Sequence, residues 1–264
     1  MRIVSLNAWG GAMFPAFDEW LLSCAADVLC LQEVTRTPGL DGWTSFRDAE
    51  RELPQRANLF DDVRFKLPKH QASFVASDAG PVSSPDGSAH LQDFGLGAFI
   101  DEKLSVIGHQ TAFVHGAFVE HEEWEIAERP RIAQAIRVID HNLDFPVVVV
   151  QLHGLRDPAG KGDTPARRQQ AERLAQLVCD VRQDGDFTVV CGDLNLLPDS
   201  ATFDVLAEIG LTDLVGTADT RTSRYAKPIR HANYMLVSDP DAVRRFEIVD
   251  APEVSDHRPL LLHI

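Results

Sequence analysis

The sequence predicts a single α/β domain across residues 1–264, and three observations predict it. Apolar runs of strand length recur from one end of the chain to the other. Segments with helical periodicity separate several of them, and no linker, repeat or low-complexity tract interrupts the alternation. Several runs are unbroken rather than alternating with polar residues, the pattern of strands covered on both faces.

Taken in order, IVSL (3–6) is the first strand and VLCL (28–31) the next. Between them Phe17 to Ala26 is apolar on one face and predicts a helix. Arg47 to Leu67 has a less regular apolar face and is also read as helical. FGLGAFI (94–100), VVVV (147–150), TVVC (188–191) and PLLLHI (259–264) supply four further strands. The clearest helix lies in GDTPARRQQAERLAQLVCDVRQDG, where Thr164 can cap, Pro165 opens the first turn and Gly185 follows the end. Ala171, Leu174, Ala175, Leu177 and Val178 form its buried stripe. A shorter helix, Thr202 to Ile209, stops at Gly210. Residues 34–46, 78–93 and 116–129 read as long loops, and loops of that size tend to cover a functional site.

Composition narrows the function. Forty acidic against 25 basic residues give a net charge of −15, which argues against a surface that grips long nucleic acid through its phosphates. No window has the apolar length of a membrane span. MRIVSLNAWGG reads as a first strand rather than a leader, so the expected location is cytoplasmic. Cys24, Cys30, Cys179 and Cys191 form no CxxC pair, so zinc and dithiol chemistry are not expected. Nothing points to a protein partner.

Polar residues recur just past the apolar runs: Asn7 after IVSL, Glu33 after VLCLQ, His153 after VVVVQL, Asp193 and Asn195 after TVVCG, and Asp256 and His257 in SDHRPLLLHI. Each alone reads as a strand-end residue satisfied by a turn. Together they suit one rim of an α/β sheet, where such residues gather. Asp193 and Asn195 point the same way in extended backbone. A carboxylate-rich set without cysteine favours Mg²⁺ or Mn²⁺ over zinc, and the two histidines can donate to phosphoryl oxygens.

SLNAWG, LQEV, LHG, GDLN and SDHRP, in that order over residues 5 to 259, resemble the endonuclease/exonuclease/phosphatase superfamily, with its deoxyribonuclease I-like fold. GDLN and SDHRP are specific as a pair. The resemblance implies a four-layer sandwich: two packed mixed β-sheets flanked by helices, with a metal-dependent phosphoesterase site at one rim. It implies Glu33 as principal metal ligand, supported by Asn7 and Asp256. Asp193 then orients or deprotonates the attacking water, Asn195 contacts phosphate, and His153 and His257 bind the scissile phosphate. Asp256 assists the metal or His257.

One position departs from the family. In RHANYMLVSD (230–239), Asn233 stands where an acid normally orients the histidine of the SDH motif. An amide oxygen still accepts a hydrogen bond from His257 but supplies no negative charge. Candidate substrate contacts are Arg131, which begins a strand, and Arg230 and Tyr225 in RTSRYAKPIRH (221–231), a stretch that also holds Arg221, Arg224 and Lys227.

AGKGDT (159–164) lacks the Ser or Thr of a P-loop and reads as a flexible lead into the capped helix, bordering the site after His153. HEEWE (121–125) has no second histidine and is not a zincin motif. The acidic runs at 101–102 and 122–125 read as solvated surface.

The expected activity is Mg²⁺- or Mn²⁺-dependent hydrolysis of a phosphodiester or phosphomonoester, on a nucleic-acid end or a small phosphorylated molecule. The rival reading, resting on Asn233, is a phosphate-binding protein that keeps the fold without turnover.

Overall fold

The computed structural model describes residues 1–48, 51–125, 129–158 and 160–264. The elements run β1 (Arg2–Asn7), α1 (Phe14–Ser23), β2 (Val28–Arg36), β3 (Trp43–Arg47), β4 (Glu52–Arg56), α2 (Leu59–Lys66), β5 (His70–Ser83), β6 (Ala89–Asp101) and β7 (Ser105–His115). Then follow β8 (Val119–Glu120), β9 (Arg131–Ile139), β10 (Val147–His153), α3 (Pro165–Val181), β11 (Phe187–Asp193), α4 (Thr202–Glu208), β12 (Thr212–Asp213), β13 (Asn233–Val237), β14 (Arg245–Ile248) and β15 (Leu260–His263).

The strands form two mixed sheets. One has the order β14-β15-β1-β2-β6-β5-β3-β4, with β8 beside β5; the other has the order β12-β13-β11-β10-β9-β7. Parallel pairing joins β1 to β2 and β10 to β11. The period of two in extended chain sorts side chains between layers. Ile3, Val28 and Cys30 face the second sheet and pack with Val147, Val149 and Cys191. Val4, Leu6, Leu29 and Leu31 face outward and are covered by Phe17, Trp20 and Leu21 of α1 and by Leu59, Phe60 and Val63 of α2. Helices α3 and α4 cover the second sheet through Leu174, Val178, Val205 and Leu206. The layers are those of the expected sandwich.

Between the sheets runs a buried chain of amides. Gln32 Nε2 donates to Gln151 Oε1 at 3.0 Å, and Gln151 Nε2 to Gln134 Oε1 and Gly97 O, each at 2.9 Å. Gln134 Nε2 reaches Ser73 Oγ at 3.0 Å. Directional bonds between buried polar groups fix register as apolar contacts do not, although Gln32 Oε1 is left buried without a donor. Gln32 is the cross-strand partner of Asn7, and Gln151 lies two residues before His153 on the same face, so the chain holds the two halves of the rim opposite each other.

Two expectations are corrected. Arg47 to Leu67 is not one helix: β3 and β4 form a hairpin pairing Phe46 with Leu53, and only Leu59–Lys66 is helical. Pro54 removes a backbone donor that a helix interior needs, and Asn58 caps α2 by accepting from Asp61 N. Residues 49 and 50 of that stretch lie outside the described residues. The loop expected at 78–93 is mostly the β5–β6 hairpin, closed by Ser84 N→Ser88 O at 2.9 Å. Its Gly80 is needed because a Cβ there would meet the Trp124 ring at 2.6 Å. Of the loop at 34–46, only the stretch between Arg36 and Trp43 is outside strands. Trp124 anchors the 116–129 segment against Phe46 and Phe94; residues 126–128 of it lie outside the described residues, as does Ala159 of AGKGDT. Among the described residues no helix is long and apolar enough to cross a membrane.

Candidate active site

The strand ends deliver their polar residues to one rim. Register aligns Asn233, Asp193 and His153 across β13, β11 and β10. Asn7 continues the inward-facing series of Ile3 and Ser5. Glu33 does not follow its strand's alternation. A bulge shifts the β2–β6 register between Leu31 and Val34, and Glu33 adopts the left-handed conformation with φ 53°, which turns its carboxylate toward Asn7. Non-glycine residues pay for that conformation, and sites are where such strain collects. Gly192, with φ 137°, lets β11 approach β10: a Cβ would lie 2.1 Å from Leu152 O.

Asn7 Nδ2 donates to Glu33 Oε1 and to Asp193 Oδ2, both at 3.0 Å, while its Oδ1 accepts from Trp9 N at 3.0 Å. One amide nitrogen therefore holds two carboxylates together. His153 Nε2 is 3.7 Å from Glu33 Oε1 and 3.8 Å from Asp193 Oδ2. Glu33, His153 and Asp193 each present a ligand atom within 4.8 Å of the others. Two carboxylate oxygens and one imidazole nitrogen, sharing a single neutral donor, fit a hard divalent cation. Asn195, at φ 54°, bonds through its backbone N to Asp193 Oδ1 at 3.0 Å, and its Nδ2 reaches Gly154 O at 3.4 Å.

The SDH segment closes the rim. Ser255 Oγ donates to Asn7 O at 2.6 Å, tying it to β1. His257 Nδ1 lies 2.6 Å from Asn233 Oδ1, and Asn233 Nδ2 donates to Arg258 O at 3.1 Å. The amide oxygen thus faces the ring, so Nδ1 carries the proton. Nε2 meets Arg221 Nη1, which can only donate. The same nitrogen lies 3.4 Å from Asp193 Oδ2, so Nε2 sits between a cation and a carboxylate. Burial, then the charges of Arg221, His153 and Lys161, holds its pKa well below the ordinary value. His153 is pushed the same way by burial, Arg131 and Arg129.

Asp256 Oδ2 accepts from Arg221 Nη1 at 2.7 Å, and its Oδ1 is 3.7 Å from His257 Nε2. Burial pushes Asp256 up to about 7; Glu33 and Asp193 add to this and Arg221 opposes it. Asp256 thus stands beside Arg221, outside the Glu33–His153–Asp193 group, and Asn7 enters that group through its nitrogen.

The candidate substrate contacts divide. Arg131 is 4% exposed and its Nε is buried without an acceptor. It lines a small cavity with His153, Phe94 and Ser77, and burial, with Arg129 nearby, pushes it down to about 10. Arg129 itself is neutralised by Asp78, with bonds of 2.7 and 3.1 Å. Arg230 is turned into its own loop, donating to Asp219, Tyr225 O, Arg221 O and Thr222 O. Tyr225 has one ring face covered by Arg221, whose Cζ lies 4.0 Å from the ring centroid.

Sequence reasoning did not select Arg221 or Lys161. Lys161 Nζ donates to His231 O, and burial pushes it down to about 8 against the pull of Asp193. Nothing local distinguishes Arg221 from Arg224; its position comes from an isolated antiparallel bridge to His257.

Residues 4–257 match the sequence model of the Endonuclease/Exonuclease/phosphatase family. Solved structures share the fold. An endonuclease/exonuclease/phosphatase from Bacteroides vulgatus is 20% identical, with TM-score 0.67, over 99% of this chain and 97% of that one. A mannosyl-6-phosphatase from Bacteroides thetaiotaomicron is 15% identical, with TM-score 0.67, over 100% and 98%. TDP2 of D. rerio, complexed with a single-strand DNA product, is 13% identical, with TM-score 0.65, over 99% and 97%. No curated protein matches the chain in sequence.

Proposed function

Since the chain belongs to the endonuclease/exonuclease/phosphatase family, we propose that it is a divalent-cation-dependent phosphoesterase that hydrolyses a phosphodiester, with monoesters as the second class. The carrying observation is the convergence of Glu33, His153 and Asp193 within 4.8 Å, held by Asn7. A bound Mg²⁺ or Mn²⁺ would neutralise a phosphoryl oxygen and the leaving alkoxide. Glu33 would be its principal ligand, with His153 and Asp193 facing the same space.

The chain's own residues supply the rest. Asp193, held through Oδ2 by Asn7 at 3.0 Å, orients the attacking water for in-line displacement and takes its proton. The Asn195 amide contacts the phosphate beside it. Arg131, buried and without an acceptor for Nε, places positive charge on the His153 side. The substrate is a nucleic-acid end or a small phosphorylated molecule: the structural neighbours include both a sugar phosphatase and a protein bound to a DNA product, and the net charge of −15 disfavours long duplexes. Cys24, Cys30, Cys179 and Cys191 are free thiols, which supports a cytoplasmic setting.

The rival reading, a phosphate-ligand binding protein without turnover, draws on the neutral Asn233–His257 pair. Hydrolysis of a chromogenic phosphodiester and monoester with Mg²⁺ or Mn²⁺, against EDTA and Asp193→Ala, separates the two. Turnover lost in both controls is expected. Cation-independent turnover, or none on either ester, refutes the enzyme.

A further inference from the structure

The segment between His153 and α3 is held at three places. Gly154 N donates to Asp193 O at 2.6 Å, and Gly154 O accepts from Asn195 Nδ2 at 3.4 Å. Arg167, in the first turn of α3 and 1% exposed, turns its guanidinium back onto the segment. Its Nη2 donates to Leu155 O at 3.3 Å and to Gly160 O at 2.8 Å, and its Nη1 donates to Gly162 O. Asp163 then accepts from Ser200 Oγ at 2.6 Å and from Ala201 N at 2.9 Å. The carbonyls on both sides of Lys161 are thus fixed to one buried side chain, so the backbone that carries this lysine has little freedom.

Lys161 reaches across the rim. Its chain leaves β10, yet its Nζ donates to His231 O, two residues before Asn233 at the start of β13. In the order β13-β11-β10 the end of β11 lies between those two points. Ala232 O, next along from His231, accepts from Leu194 N at 2.9 Å and from Asn195 N at 3.3 Å, so the amine stands beside the Asp193–Asn195 segment. Asp193 is the charge that attracts it most, Arg221 repels it, and Lys161 in turn acts on His257. All three belong to the site. An ammonium has three N–H donors, and among the described residues only His231 O accepts from this one. Lys66, Lys69 and Lys103 have carboxylate partners in Asp18, Glu102 and Asp27, and Lys227 is exposed. Lys161 is half-buried without such a partner among the described residues, which is unfavourable unless an anion meets it.

Resting on the phosphoesterase reading, we infer that Lys161 is a phosphate-binding residue: its ammonium, anchored at His231 O, donates to a non-bridging phosphoryl oxygen of the ester beside Asp193 and Asn195. Glu33 and Asp193 are carboxylates facing an anionic ester, and a cation next to Asp193 offsets their repulsion of the incoming phosphate. Arg131 begins β9, on the far side of β10, so Lys161 supplies the charge that Arg131 cannot bring to the β11–β13 side. A lysine is a point charge on a flexible stem, which suits an oxygen that moves as the phosphoryl group inverts during in-line attack.

The test compares wild type, Lys161→Met and Lys161→Arg, each with Mg²⁺, by calorimetric titration of inorganic phosphate and by kcat/KM on a chromogenic diester, with thermal melts as the folding control. Lys161→Met keeps most of the stem and removes the charge. It is expected to bind phosphate and to turn over the diester about 10- to 100-fold less well, the worth of one hydrogen bond to a charged group, while melting within about 4 °C of wild type. Lys161→Arg keeps the charge and is expected to recover most of both. A lysine that only ties two loops together predicts the reverse, a lowered melt with phosphate affinity unchanged. Wild type supplies a second measurement that needs no variant. Pyridoxal 5′-phosphate, fixed with borohydride and located by peptide mass spectrometry, is expected to label Lys161, and inorganic phosphate to slow that labelling but not the labelling of Lys227. Lys161→Met with the phosphate affinity and kcat/KM of wild type overturns the assignment and leaves the phosphoesterase reading intact. So does a Lys161 left unlabelled, or labelled at a rate that phosphate does not slow. Wild type that neither binds phosphate nor hydrolyses any ester overturns both.

Discussion

Replacing Asn233 with aspartate restores a carboxylate where an amide oxygen now accepts the His257 Nδ1 proton at 2.6 Å. The carboxylate and imidazolium charge centres would lie roughly 4 Å apart, worth about 4 kcal/mol at an effective dielectric of 20. At 1.36 kcal/mol per pKa unit, that is a rise of about three units for His257. Two features oppose it. The Asn233 Nδ2 bond to Arg258 O at 3.1 Å becomes an oxygen facing an oxygen, and Arg221 still touches Nε2. The net expectation is a rise of about one to two units. The sign for stability follows. In the native sequence His257 titrates below its unfolded value of about 6.5, so the unfolded state binds more protons and acidification through that value costs stability. The raised pKa in Asn233→Asp returns part of this loss, and the benefit grows as pH falls below about 6.5. An NMR titration of the His257 Cε1–H resonance in both proteins measures the shift directly. Because Arg221 already supplies positive charge beside His257, kcat/KM is expected to change by less than about tenfold, far from the ~10⁴ that an Asp→Asn change costs a serine-protease triad. A His257 titration moved by less than about half a unit refutes the electrostatic reasoning.

Two further outcomes follow from the packing. Burial raises the Asp78 carboxyl, but Arg129, His121 and Ser77 outweigh it and hold the group well below the carboxylate range. Asp78→Asn therefore leaves Arg129 buried and unpaired, and should cost about 3–5 kcal/mol in urea unfolding at pH 7. Asp78's ionised form stabilises above its unfolded pKa of about 3.9, so the difference between the proteins should shrink on acidification toward pH 3; a constant difference would count against the ion pair. Gly192→Ala must move β10 or β11, because its Cβ would sit 2.1 Å from Leu152 O at φ 137°. A loss of about 2 kcal/mol or more, read as a Tm drop of at least about 4 °C, is expected, and an unchanged melt would show that the strands separate freely there.

Much of the site was legible because strand ends are legible. Asn7, His153 and Asp193 each follow an apolar run, and a period of two is enough to place them on the inward face. The long capped helix and the motif order were equally plain. Composition misled at 78–93, where Gly, Pro and Ser suggested a loop but pairing with β6 supplies the backbone's hydrogen bonds. The same holds at Arg47 to Leu67, where a hairpin won over a weak helical face.

What the sequence determined by itself is the set of chemical groups and the faces of the strands that carry them, since both depend on residues a few positions apart. Tertiary structure alone decided how those groups meet. The bulge that turns Glu33, the amide of Asn7 shared with Asp193 across 186 positions, and the choice of Arg221 over Arg230 all arise from strands of the two sheets being pressed together. The neighbours of the two His257 nitrogens, Asn233 on one side and Arg221 with Asp193 on the other, are likewise set by tertiary contacts that no local pattern encodes.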